Sequence, residues 1–188
     1  GTLWWQAEKE STASAPNAPL AATPTMYLDK DGNVIKGLST NGHLAVGVPG
    51  TVSGMEYARE KYGTMKRAEL IAPSIQLAEK GFALEQGDVD MLRTSTNDFK
   101  KDPVSGAIFL NKGEPFAVGQ KLVQKDLAKT LKEISAKGTD GFYKGWVGKA
   151  IVASSQAGKG IITQADLDQY KTRELAPVEC DYRGYRVV

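Results

Sequence analysis

His43-Leu44-Ala45-Val46-Gly47-Val48-Pro49-Gly50-Thr51-Val52-Ser53-Gly54 holds the one histidine of the chain and three of its 20 glycines. A dinucleotide-binding loop needs a strand followed by Gly-x-Gly-x-x-Gly at the mouth of a helix, so that backbone amides face the phosphates. Here the spacing is Gly47-x-x-Gly50-x-x-x-Gly54, and Pro49 removes one of those amides. The stretch therefore reads as scaffold. Leu44 to Val46 is expected to form a short buried strand that turns through Pro49-Gly50 into a helix on which Gly54 permits close packing. Gly47, Pro49, Gly50 and Gly54 are accordingly assigned structural roles, and no catalytic, substrate-binding or metal-binding residue is assigned to this chain.

His43 as a general base needs a nucleophile brought to it. The sequence has neither a Gly-x-Ser-x-Gly elbow nor a cysteine in an activating setting. Cys180 lies between Glu179 and Asp181, without the basic neighbours of a reactive cysteine. One cysteine and one histidine make no zinc cluster. Asp29, Asp31 and Asn33 resemble the start of a calcium loop, but Gly32 precedes Asn33 and no glutamate follows at the required offset. The acidic pairs Asp88/Asp90 and Asp166/Asp168 read as solvated helix faces.

Outward from the opening stretch, apolar periodicity predicts helices from Val52 to Gly63, from Met65 to Lys80 with a kink or boundary at Pro73, and from Glu85 to Ser95. Further helices are expected from Leu122 to Lys137, from Gly141 to Gln156, and from a capping box at Thr163-Gln164-Ala165-Asp166 to Tyr170. Thr96 to Ser105 reads as a loop, Ala107 to Leu110 as a strand, and Asn111 to Pro115 as a turn. Met26 to Leu28 is expected to return through the Asp31-Gly32 turn to Val34-Ile35, and Pro177 to Val188 to form a terminal strand with a turn or bulge at Gly184. Residues 1–25 differ in composition, with Trp4-Trp5 and a Ser/Ala/Pro/Thr-rich run, and read as a linker or altered N-terminal end before a segment spanning 26–188.

A chain of 188 residues, 41% hydrophobic and 24% charged, has enough apolar content for a folded core. Its net charge of +2 supplies no strong phosphate-directed field, which argues against nucleic acid. No apolar run is long enough to span a membrane, and no basic-then-apolar leader opens the chain.

From about Ala18 to Val188 the sequence resembles part of the large subunit of a bacterial γ-glutamyltransferase (γ-glutamyltranspeptidase). The resemblance is carried by Met26-Tyr27-Leu28-Asp29, the His43–Gly54 block, Lys61-Tyr62-Gly63-Thr64-Met65, Ala78-Glu79-Lys80-Gly81-Phe82, Gly113-Glu114-Pro115, Phe142-Tyr143-Lys144-Gly145, Ile161-Ile162-Thr163-Gln164-Ala165-Asp166-Leu167 and Asp181-Tyr182-Arg183-Gly184-Tyr185. It implies a predominantly helical α+β segment of an N-terminal-nucleophile hydrolase, an αββα sandwich. It also implies a self-cleaving precursor whose small subunit carries a nucleophilic threonine that attacks γ-glutamyl amides of glutathione-like substrates, without a cofactor. A periplasmic or secreted location follows from the same resemblance.

Two departures bear on activity. No Thr-Thr-His-type cleavage motif occurs, and Ala15 stands where the family's Arg-Glu-x-Ala-Pro motif has the arginine that holds the substrate α-carboxylate. The chain alone is therefore expected to be inactive. Two readings stay open: part of a γ-glutamyl acyl-transfer enzyme or of a related acylase, completed by a small catalytic subunit, or a non-catalytic folded module derived from that family.

Overall fold

A computed structural model describes residues 17–188, so the expectations placed on Trp4, Trp5 and Ala15 lie outside the described residues. The chain divides into two compact units, one formed by the residues up to Ala58 together with Val152–Val188, the other by Arg59–Ile151. Nine α-helices and four short strands are described, in the order α1 (Thr51–Tyr62), α2 (Arg67–Lys80), β1 (Phe82–Ala83), α3 (Gln86–Thr94), α4 (Thr96–Lys101), α5 (Pro103–Phe109), β2 (Lys121–Leu122), α6 (Lys125–Lys137), α7 (Thr139–Tyr143), α8 (Gly145–Ala157), α9 (Gln164–Gln169), β3 (Cys180–Tyr182) and β4 (Tyr185–Val187).

In the Arg59–Ile151 unit, α2 and α6 form the most extensive helix pair. Ala78 on α2 and Ala128 and Ile134 on α6 are buried, as the i, i+3, i+4 pattern requires of a core-facing stripe. Beside them β1 pairs antiparallel with β2, Phe82 opposite Leu122, and the ladder is extended by Leu84 N–H donating to the Gln120 carbonyl at 2.9 Å. Leu84, Val89 and Leu122 make a buried cluster, with Leu92 and Phe116 packed on it.

Several expectations change here. The Thr96–Ser105 loop and the Ala107–Leu110 strand are instead α4 and α5. Pro103 occupies the first turn of α5, and the Asp102 side chain caps it by accepting from Ser105 N–H at 2.9 Å. Phe99 and Phe109 then stack, ring centroids 5.1 Å apart, so the aromatic content that suggests a strand serves helix packing. Leu122 belongs to β2 rather than to the first turn of a helix, and α6 starts at Lys125. The helix expected over Gly141–Gln156 is two, α7 and α8, separated where Lys144 is extended and Gly145 takes φ 64°. α2 runs on through Pro73, which forgoes one i to i−4 bond.

The other unit has less regular structure. Met26–Leu28 and Val34–Ile35 do approach as a hairpin, with a single bridge at Leu28–Val34 and Ile35 N–H donating to the Tyr27 carbonyl at 2.9 Å. Of the N-terminal segment, residues 17–25 form successive turns, Ala22 N–H donating to the Pro19 carbonyl and Met26 N–H to that of Thr23. The buried strand expected at Leu44–Val46 is a 3-10 turn, His43–Ala45, and Val46 is half exposed. An extended segment needs a neighbour to bond to, and no strand lies beside this one among the described residues. At the other end, Pro177–Val188 makes a hairpin, β3 with β4, turning at Arg183-Gly184 with Asp181 opposite Arg186.

Candidate functional site

The glycine-bearing stretch 43–54 is surrounded by residues from the far end of the sequence, all in the same unit. His43 lies over the loop after α8: a β-carbon at Gly158 would stand 2.0 Å from His43 Nδ1, and one at Gly160 would stand 2.5 Å from Ser155 Oγ. The two glycines after α8 are thus required by close approach of a ring and a hydroxyl. Ser155, itself buried, accepts Ile162 N–H at 3.0 Å and closes that loop. His43 Nε2 lies 3.4 Å from Ser154 Oγ, at the long limit for a hydrogen bond, and both side chains are exposed. No carboxylate orients the ring among the described residues, so the pair lacks the relay that a histidine base needs. The geometry is that of a packed ring.

Gly47 faces the segment with which the described residues begin. A β-carbon there would come within 3.1 Å of the Asn17 carbonyl, and Val48 N–H donates to that same carbonyl at 2.8 Å. Val48 is buried, and Pro19 beyond it is buried too. Gly50 faces Tyr170, whose hydroxyl lies 1.9 Å from where a β-carbon would be. From that point the chain after α9 runs along α1: Ser53 Oγ and Thr172 Oγ1 are 2.8 Å apart, and Tyr57 donates its hydroxyl to Glu174 Oε2 at 2.7 Å. Positions 50, 53 and 57 form one stripe of the helix and its lead-in, while 170, 172 and 174 are alternate residues of an extended chain, so the two periods keep step. Gly54 is half-buried in the first turn of α1, its N–H donating to the Gly50 carbonyl at 2.9 Å, and Pro49 is half-buried as well.

Asp166 is the charged centre of this arrangement. It reads from sequence both as a capping acid and as part of a solvated acidic face, and the second reading is corrected: the residue is 4% exposed. As a cap it accepts Thr163 N–H at 2.7 Å and the Thr163 hydroxyl at 2.6 Å, completing a capping box for α9. Its other oxygen accepts Leu20 N–H at 2.5 Å, a tie across 146 residues. Burial alone would push the carboxyl up, but the Thr163 hydroxyl and the Leu20 and Thr163 amides outweigh it and hold the group below the ordinary aspartate value. The Thr-x-x-Asp pattern discloses the local half of this role. Nothing in it discloses Leu20.

Asp88 likewise caps a helix, taking the Glu85 N–H at 2.9 Å. Asp29 closes the Asp31-Gly32 turn by accepting the amides of Asp31 and Asn33, each at 2.9 Å, which lowers its carboxyl. Those bonds leave a turn rather than a cation loop, and no group of three or more metal-ligating side chains occurs among the described residues. Cys180 is exposed in β3. No helix among the described residues is long and apolar enough to cross a membrane. In the other unit a groove of about 460 Å³ opens between α4 and α5 over Phe99, Ala107 and Leu110, with Lys100 at its rim bonded to Glu114 at 3.2 Å.

Among the described residues the arrangement thus organises backbone without assembling a nucleophile and base, and the family is shown by comparison with known proteins. The family model for gamma-glutamyltranspeptidase matches residues 3–188. A glutathione hydrolase proenzyme of Pseudomonas sp. (strain A14) is 78% identical over 172 residues, which is 91% of this chain and 30% of that protein. The glutathione hydrolase proenzyme of Escherichia coli (strain K12) is 42% identical over 171 residues, again 30% of its length. Among solved structures, the γ-glutamyltranspeptidase of Helicobacter pylori matches with a TM-score of 0.88 at 45% identity, over 92% of this chain and 50% of that one. The fold is a predominantly helical segment of the N-terminal-nucleophile hydrolase class, as the resemblance implies. The chain spans about 30% of the curated relatives it matches, and it belongs to the γ-glutamyltranspeptidase family, a family of enzymes.

Proposed function

We propose that this chain is a large-subunit portion of a γ-glutamyl acyl-transfer enzyme, one that transfers or hydrolyses the γ-glutamyl group of glutathione-like substrates. The observation that carries the reading is the 78% identity to a glutathione hydrolase proenzyme, sustained over nine-tenths of this chain while covering under a third of that protein. The covalent step belongs to a threonine on a small subunit of the same precursor: its hydroxyl attacks the γ-glutamyl carbonyl, the terminal amine takes the proton, and the leaving amine departs before water or an acceptor amine releases the acyl group. This chain contributes scaffold. Asp166 and Val48 hold residues 17–20, which begin two positions after Ala15, the counterpart in the resemblance of the substrate-clamp arginine.

The terminal hairpin supports a partner segment. Tyr182, Tyr185 and Val187 are 60%, 75% and 47% exposed, and a two-stranded ribbon with such residues uncovered is marginal by itself. From the same resemblance we infer a periplasmic or secreted location.

The test is turnover of a chromogenic γ-glutamyl anilide by the chain alone and by the chain co-expressed with all the remaining segments of a relative's proenzyme, its small subunit included. No turnover alone and recovery on co-expression with Ala15→Arg is the expected outcome. Turnover by the chain alone, abolished in His43→Ala, would overturn the assignment of the nucleophile to another subunit.

A further inference from the structure

We propose that Asn41-Gly42 is a site of spontaneous covalent modification, at which the asparagine amide is lost through a cyclic imide to leave aspartate and isoaspartate. The inference is independent of the acyl-transfer reading. The reaction needs the backbone nitrogen of the following residue to reach the asparagine Cγ. Three features of this turn leave that attack open.

First, Asn41 and Gly42 are both exposed, so hydroxide and water have access. Second, Gly42 N–H donates to no acceptor among the described residues, although its neighbours do: Asn41 N–H is bonded to the Gly37 carbonyl at 2.9 Å and Ala45 N–H to that of Gly42 at 3.2 Å. Third, nothing lies within 4 Å of the position where a Gly42 β-carbon would be, and the residue has φ 82°, so no side chain crowds the attack. The other described asparagines outside residue 17 are placed differently. Asn97 lies in α4, where the next amide, Asp98 N–H, is bonded to the Ser95 carbonyl at 3.0 Å. Asn111 is followed by Lys112, whose side chain crowds the attacking nitrogen. Asn33 is followed by Val34, whose β-branched side chain crowds the attacking nitrogen.

The step balances without any redox partner. Gly42 nitrogen gives up its proton and bonds to Asn41 Cγ, the Cγ–Nδ2 bond breaks, and Nδ2 leaves as ammonia. Water then adds to one of the two imide carbonyls and opens the ring, giving aspartate or, by the other carbonyl, an isoaspartate whose main chain runs through Cβ. Either product removes the Nδ2 donor that reaches Thr40 Oγ1 at 3.1 Å and places a negative charge two residues before His43. Isoaspartate also lengthens the backbone leading into the turn on which His43 rests against Gly158 and Gly160.

The full chain, held at mildly alkaline and mildly acidic pH at body temperature, is digested with trypsin, and the Gly37–Arg59 peptide and the peptides holding Asn33, Asn97 and Asn111 are followed by mass and by isoaspartyl methyltransferase labelling. The expected result is conversion at Asn41 several-fold faster than at Asn33, Asn97 or Asn111 in the same sample, faster at the higher pH, with both products present and no conversion at position 41 in Asn41→Gln. Conversion at Asn41 no faster than at the other three, or independent of pH, would overturn the proposal.

Discussion

In the Arg59–Ile151 unit the buried side chains are aliphatic or aromatic: Ala78, Leu84, Val89, Leu110, Leu122, Ala128, Ile134, Tyr143 and Val147. In the other unit Val48, Ile162 and Leu167 share the interior with Glu56, Ser155 and Asp166, each 9% exposed or less. The first unit is built within one continuous stretch of chain. The second joins residues 17–57 to residues 154–174 by single hydrogen bonds and close glycine contacts. Apolar burial is roughly additive and tolerant of direction, whereas a buried hydrogen bond is lost outright when one partner moves. A helical unit with its own core and a polar-tied unit ending in an uncovered hairpin should therefore answer differently to mutation, pH and loss of neighbours.

Truncation in the apolar cluster is expected to have the largest effect. Leu84 is 2% exposed and touches the interior beside Val89 and Leu122, so Leu84→Ala should cost about 2–5 kcal/mol in denaturant unfolding. A loss confined to a few tenths would mean the cluster collapses around the vacancy and the contrast between the units is smaller than drawn.

Asp166→Asn should be next, at about 1–3 kcal/mol, since it removes one acceptor from a buried site that also receives Leu20. The sign with pH follows from the lowered carboxyl. A group held low in the folded chain stabilises it above the unfolded value, near about pH 4, and that stability is lost as pH falls through the folded value. The difference between wild type and Asp166→Asn should thus be flat around neutrality and shrink in acid. A difference that instead widens in acid would place the charge of Asp166 on the destabilising side.

The smallest effect is expected at Gly50. Gly50→Ala sets a methyl against the end of the Tyr170 side chain, which can swing away at the cost of an off-rotamer ring, about 0.5–1.5 kcal/mol. Gly50→Ala combined with Tyr170→Ala should be milder than the sum of the two single changes by thermal melting. Strict additivity would show that the two residues do not meet.

Local patterns in the sequence read well where the stabilising contacts are local. α1, α3, α6 and α9 follow from stripes and caps such as Leu127-Leu131-Ile134 and Thr163-x-x-Asp166, and the turns at Asp31-Gly32 and Lys112-Gly113 from their residue types. Reading fails at Ala107–Leu110, where a short apolar run fits strand and helix equally and the deciding facts are the Asp102-Pro103 cap and the Phe99 ring. It fails again at Leu44–Val46, because a strand is defined by a partner and the sequence names none. The capping role of Asp166 was legible while its burial was not, since burial depends on Leu20 arriving from 146 residues away.

Sequence alone determined the family, the helical character, and the fitness of Gly50 and Thr51 as a helix start, because each of these is written in residue identity and short-range spacing. Tertiary structure alone decided which glycines are crowded, which aspartate is buried, where the 43–46 segment turns instead of extending, and which asparagine stands beside an unbonded amide. Those outcomes depend on the approach of chain segments far apart in order, and a hydrogen bond or a steric contact has no meaning until both of its partners are in place.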